Sequence, residues 1–199
     1  MEKAPSDVDK TIDEFYIQAL MLSKVVMRLL KKKAHITLTR KPALIIKPVT
    51  EFMQRLRVSG ITKFEGKTYL STINFYEKEE DIENHQAMGA LIVYIGEEYI
   101  VELLKKMDYP DVDEDEEEAL EDACGTFCNL IAGNFKSGLT QLGYIELVMS
   151  HFSGFQNEVL NGVEFHPAQK QMYEIDYEIE GEKRIVTELC MGPVPLLDF

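Results

Sequence analysis

The stretch DEDEEEALEDACGTFCNLIAGNFKSGL, Asp113 to Leu139, decides the fold. Its spacing predicts one long helix. An acidic first turn suits the positive end of a helix dipole, Lys136 falls in the expected last turn, and Gly138 reads as the C-terminal stop. At ~100° per residue, Leu120, Cys124, Phe127, Ile131 and Phe135 share one face, the expected core side. Asp122, Thr126, Asn129 and Gly133 share the opposite face, with Gly125 and Ala132 beside them. That second face is unusual, because glycine inside a helix costs roughly 1 kcal/mol relative to alanine. Either the glycines admit a close-packed neighbour from the same chain, or they leave a low surface from which Asn129 projects toward another protein.

The segment Asn129-Leu-Ile-Ala-Gly-Asn134 resembles the signature helix of the CheC/CheX family of chemotaxis phosphatases. In that family Asp or Ser is followed four residues on by Glu, and three later by Asn with an Ala/Ser-Gly-Asn run. Asp122 matches the first position, Asn129 the Asn, and Ala132-Gly133-Asn134 the run. Two positions depart: Thr126 stands where the family has Glu, and Phe152 falls near the family's later Pro. The resemblance implies an α+β, two-layer fold with long helices packed on one face of a mixed or antiparallel sheet, and a homodimer. It also implies hydrolysis of the aspartyl phosphate on a CheY-type response-regulator receiver domain. There Asn129 positions water, while Asp122, Thr126 and Gly133 belong to the binding surface. No cofactor of the chain's own is implied, since the receiver brings its Mg²⁺. The alternative is a catalytically weakened receiver-binding module or a dimeric signalling scaffold, because a threonine hydroxyl cannot form the ion pair that the family's Glu makes.

Composition favours solubility and a protein partner with a basic patch. The 199 residues suit one domain, 1–199, and 45% hydrophobic with 28% charged residues suffices for a normal core. A formal net charge of -14 argues against nonspecific binding to nucleic acid or to an anionic membrane. No apolar run approaches the ~20 residues of a membrane span, and the first residues lack the pattern of a secretory signal. Cys124, Cys128 and Cys190 make an odd count that fits a reducing, cytoplasmic setting. Asp111, Asp113, Asp115 and Asp122 superficially match a calcium loop, but Glu116 stands where the sharp turn needs glycine. The scattered histidines His35, His85, His151 and His166 complete no nucleophilic site.

Around the central helix, residues 11–33 read as an amphipathic helix, with Phe15, Ala19, Leu22, Val26, Leu29 and Leu30 inward. Residues 35–94 read as strand-rich, with an Ile61–Phe64 strand turning at Glu65-Gly66 into Thr68–Phe75. Glu77–Glu83 reads as a charged loop. Ala90–Ile95 is apolar throughout and is the candidate central strand. A shorter helix is expected over 97–107. Tyr144–Phe152 reads as a strand. Tyr173–Ile179 reads as a half-exposed strand whose Gly181 turn returns the chain through Lys183–Leu189.

Overall fold

The fold grows from the strand that sequence marks as central. In the computed structural model, which describes residues 14–109 and 116–197, β5 spans Gly89–Gly96. All side chains from Ala90 to Ile95 are fully buried, as a strand covered on both faces requires. It pairs antiparallel with β4 (Thr68–Tyr76) on one side and β10 (Glu182–Met191) on the other. β10 forms the expected hairpin with β9 (Gln171–Ile179). Glu180 and Gly181 make its two-residue turn at φ 55° and 87°, the paired left-handed geometry that matches strand twist. With β1 (Ala43–Pro48), β6 (Val148–Met149) and β7 (Ser153–Gln156), the main sheet runs β1-β9-β10-β5-β4, with β6 and β7 both pairing with β4.

Alternation along these strands separates two cores. Leu91, Val93, Ile95, Ile175 and Tyr177 face α1 (Glu14–Lys33) and α4 (Glu117–Gln141). Phe75 and Phe135 meet edge to face there, with centroids 5.6 Å apart. The 10-residue α3 (Glu97–Lys106) buries Ile100, Leu103 and Leu104 in the same layer. Long helices on one face of an antiparallel sheet match the expected α+β architecture. The other face carries a small sheet of β2 (Glu51–Phe52), β3 (Arg55–Ser59) and β8 (Val159–Val163). Leu56 and Val58 pack there against Leu70, Ile92, Tyr94 and Val186.

Several local expectations need correction. Ile61–Phe64 is part of an irregular turn rather than a strand, and residues 34–42 are also irregular. The charged segment after β4 contains a single helical turn, α2 (Glu80–Glu83). Of the expected Tyr144–Phe152 strand, Val148–Met149 pairs with β4 and Tyr144 makes an isolated bridge to Leu196, and the chain then bends to begin β7 at Ser153. β9 is not half-exposed: the small sheet and the 60–67 turn cover its second face, so Glu174 is buried. The start expected at Asp113 and the calcium-loop positions Asp111, Asp113 and Asp115 lie outside the described residues.

Candidate functional site

The helix α4 begins at Glu117, after an extended Glu116, later than the expected start at Asp113, and forms because its apolar positions recur every three to four residues against β4 and β5. Phe127, Ile131 and Phe135 have no exposed surface, and the Cys128 thiol lies 3.7 Å from the Ser71 carbonyl oxygen. The two helix cysteines are inert core groups. Burial pushes Cys128 up to about 12 and Cys124 well above the ordinary thiol range. The C-terminal stop is not Gly138. That glycine lies inside the helix, where a Cβ would come 2.8 Å from the Met21 sulfur, so it permits close approach of α1. The left-handed residue that ends the helix is Gly143, at φ 92°. Lys136 accordingly lies before the last turn and pairs with Glu146 at 3.1 Å.

The opposite face of α4 faces outward. Asp122 and Asn129 are exposed, and Thr126 and Gly133 are half-buried. Among the described residues the Asn129 side chain makes no hydrogen bond, so its donor and acceptor groups both remain available. Thr126 lies three residues before it, ~4.5 Å along the axis, and Asp122 a further turn away. The two interior glycines differ. At Gly125 an added Cβ would sit 2.1 Å from the Phe152 ring, so the segment before β7 lies directly on the helix and borders the Asn129 face. At Gly133 nothing lies within 4 Å of an added Cβ. Both sequence readings therefore hold, one at each glycine. Asn134 is held in place: its amide nitrogen donates to the Leu130 carbonyl at 2.9 Å, and Arg28 donates to its oxygen at 3.3 Å.

The N-terminal end of this face is acidic. Burial, followed by repulsion from Glu158, Glu117 and Glu118, raises the Glu121 carboxyl above its ordinary range. Glu117 is held low by a hydrogen bond from Lys67 at 3.1 Å and by Gln156. The histidines remain dispersed: exposed His151 flanks Phe152, while His85 pairs with Glu164 at 2.7 Å on another part of the surface. Among the described residues no group of three or more His, Cys, Asp and Glu could hold a metal ion. The contacts of Phe152 with Gly125 and of Arg28 with Asn134 are not readable from the sequence. Gly125 is the local trace of the Phe152 contact, since its missing side chain leaves room for the ring.

Gly133 and Gly125 make opposite predictions. Gly133→Ala is expected to stabilise the fold by about 0.5–1 kcal/mol, since alanine is the better helix former and has open space. Gly125→Ala gains the same helix propensity but must displace Phe152, so its stability should fall below that of Gly133→Ala. Urea unfolding of the two variants checks the order.

Residues 83–173, which include α4 entire, match the family model described as chemotaxis phosphatase CheX. No curated protein matches the chain. Among solved structures, a candidate chemotaxis protein from Desulfovibrio vulgaris Hildenborough superposes with TM-score 0.57 at 16% identity, covering 87% of this chain and 96% of that one. A CheC-like superfamily protein from Shewanella sp. PV-4 superposes with TM-score 0.55 at 18% identity, covering 88% and 97%. The chemotaxis protein CheX of Desulfovibrio desulfuricans gives TM-score 0.54 at 15% identity, covering 88% and 99%. These identities speak for the fold, and the family model speaks for the segment that carries Asn129. With that match and a shared fold over nearly nine-tenths of its length, the chain has a CheC/CheX-like fold and carries a CheX-like segment over residues 83–173.

Proposed function

We propose that the outer face of α4 acts on the aspartyl phosphate of a CheY-type receiver domain, with Asn129 as the residue that enters the receiver's site. The observation that carries this reading is an exposed amide, free of hydrogen bonds among the described residues, on a helix face kept low by Gly133. An amide is neutral, so it does not repel phosphate, and it both donates and accepts. It can hold a water in line with the phosphorus. The water oxygen bonds to phosphorus as the bond to the aspartyl oxygen breaks, releasing inorganic phosphate and the receiver's carboxylate. The receiver supplies Mg²⁺ and a lysine, so this chain contributes positioning and electrostatics, which dominate phosphoryl transfer. A cytoplasmic setting goes with such a partner.

Thr126 sets the level of activity. Its hydroxyl is short and uncharged, so the ion pair that a Glu would make with the receiver's lysine is missing. Thr126→Glu is therefore expected to raise phosphate release. The gain is modest, since a rim charge pair is weak until the interface excludes water. Binding to phosphorylated receivers, with no phosphate release by wild type or Thr126→Glu, favours a receiver-binding module instead. The experiment is pull-down plus dephosphorylation against the CheY-type receivers of the source organism.

A homodimer is part of the same proposal, resting on the resemblance to the CheC/CheX family. Light scattering should then give twice the chain mass at micromolar concentration, and a monomer mass up to millimolar concentration would remove that part.

A further inference from the structure

Charge is distributed very unevenly along this acidic chain. None of its 35 acidic residues lies between Phe15 and Thr50, whereas eight of its 21 lysines and arginines do. Three of these, Lys24, Arg28 and Lys32, stand four residues apart on α1 and are all exposed. The helix dipole accounts for cations in the last turn, Lys31 to Lys33. It does not account for Arg28 and Lys24, one and two turns earlier. Like charges four apart on a helix repel, and among the described residues no ion pair neutralises any of the three.

The stripe lies on the helix that packs against α4. Met21 lies against Gly138, and Arg28 donates to Asn134, so α1 and α4 are antiparallel. One further turn of α1 carries Lys32 onward in the direction of the N-terminal half of α4. Along α4, Asn129 thus lies between the turn that Arg28 contacts at Asn134 and the acidic N-terminal turns where Asp122 is exposed.

We infer that Lys24, Arg28 and Lys32 form a recognition surface for the acidic rim of the receiver domain, steering it onto Asn129. This rests on the receiver reading above. A receiver's phosphorylation site holds Mg²⁺ through carboxylates and carries the phosphate besides, so the surface that must approach Asn129 is anionic. A cationic stripe on the helix packed against α4 raises the encounter rate with such a surface and fixes its orientation, and its effect fades with ionic strength.

The test uses the full chain and the CheY-type receivers of the source organism, loaded with Mg²⁺ and beryllofluoride. Association is followed by stopped flow from low to high salt. The triple reversal Lys24→Glu, Arg28→Glu, Lys32→Glu is expected to slow association tenfold or more at low salt. It should converge on wild type at high salt, with a smaller change in dissociation. The triple glutamine variant, which keeps a hydrogen-bonding group beside Asn134, should show the same direction if the reversal misfolds. Unchanged association rate and salt dependence, with wild type binding normally, overturns the stripe while leaving the receiver reading intact. No binding by wild type at any salt overturns the receiver reading, and the stripe with it. Loss of binding to phosphatidylglycerol vesicles by the variant, with receiver association unchanged, overturns it in favour of a lipid surface.

Discussion

Replacing Lys63 by methionine is expected to lower folding stability by about 3–5 kcal/mol at neutral pH, the usual cost of removing one partner from a buried ion pair. Lys63 comes from the irregular turn between β3 and β4 and reaches over the main sheet, its side chain 9% exposed. Its ammonium contacts both Glu174 and Glu188, which stand directly opposite each other on β9 and β10. Lys47 holds the other side of Glu174 at 2.6 Å, and the buried Tyr94 hydroxyl donates to Glu188. Burial works against the Lys63 charge, but Glu188 and hydrogen bonds to both carboxylates outweigh it and raise its pKa. Burial also opposes ionisation of Glu174, yet hydrogen bonds from Lys47 and Lys63 bring it to about 2. Glu188, with burial dominant, is raised.

The pH dependence follows with definite signs. Glu174 has a folded pKa below its unfolded value, so its stabilisation is full above the unfolded value and is lost as pH falls from there toward 2. Glu188 has a raised folded pKa, so its contribution is present at low pH and is lost as pH rises through that value. Without Lys63, two facing carboxylates remain and cannot both ionise cheaply, so one takes up a proton readily. The stability gap between Lys63→Met and wild type should therefore narrow from pH 7 to pH 5. Adding Glu188→Gln should recover much of the loss at pH 7. Urea unfolding at both pH values checks this, and a gap under 1 kcal/mol, or one that does not change with pH, contradicts it.

The same cluster shows what local pattern cannot supply. Alternation along β9 assigned Tyr173, Ile175 and Tyr177 to one face and Glu174 and Asp176 to the other, and the faces are as assigned. The exposure of the second face was misread, because its cover comes from β3, β8 and the 60–67 turn. Those residues are far apart in the chain, and their pairing depends on tertiary packing. The Ile61–Phe64 segment has strand-like composition, but its backbone must turn to bring Lys63 over the sheet. By contrast, both faces of α4 were legible, since 3.6-residue periodicity is local, and the apolar run at β5 marked the sheet's centre for the same reason. Gly138 was misread as a stop because interior and terminal glycines look alike until a neighbour such as Met21 is seen. The site was half legible. Asn129 and its small neighbours stood out, while Phe152 on Gly125 and Arg28 beside Asn134 are long-range contacts.

The direct test of Asn129 is phosphate release from a phosphorylated CheY-type receiver, with and without this chain, using wild type and Asn129→Ala. Asn129 lies outside the core, so its replacement should change stability by no more than about 0.5 kcal/mol. Removing a preorganised group that aligns the attacking water should slow the accelerated reaction about 100-fold, some ~2.7 kcal/mol of barrier. Wild type is expected to speed phosphate release, and the equally stable Asn129→Ala variant to lose nearly all of that acceleration. Equal acceleration by the two proteins would contradict this expectation.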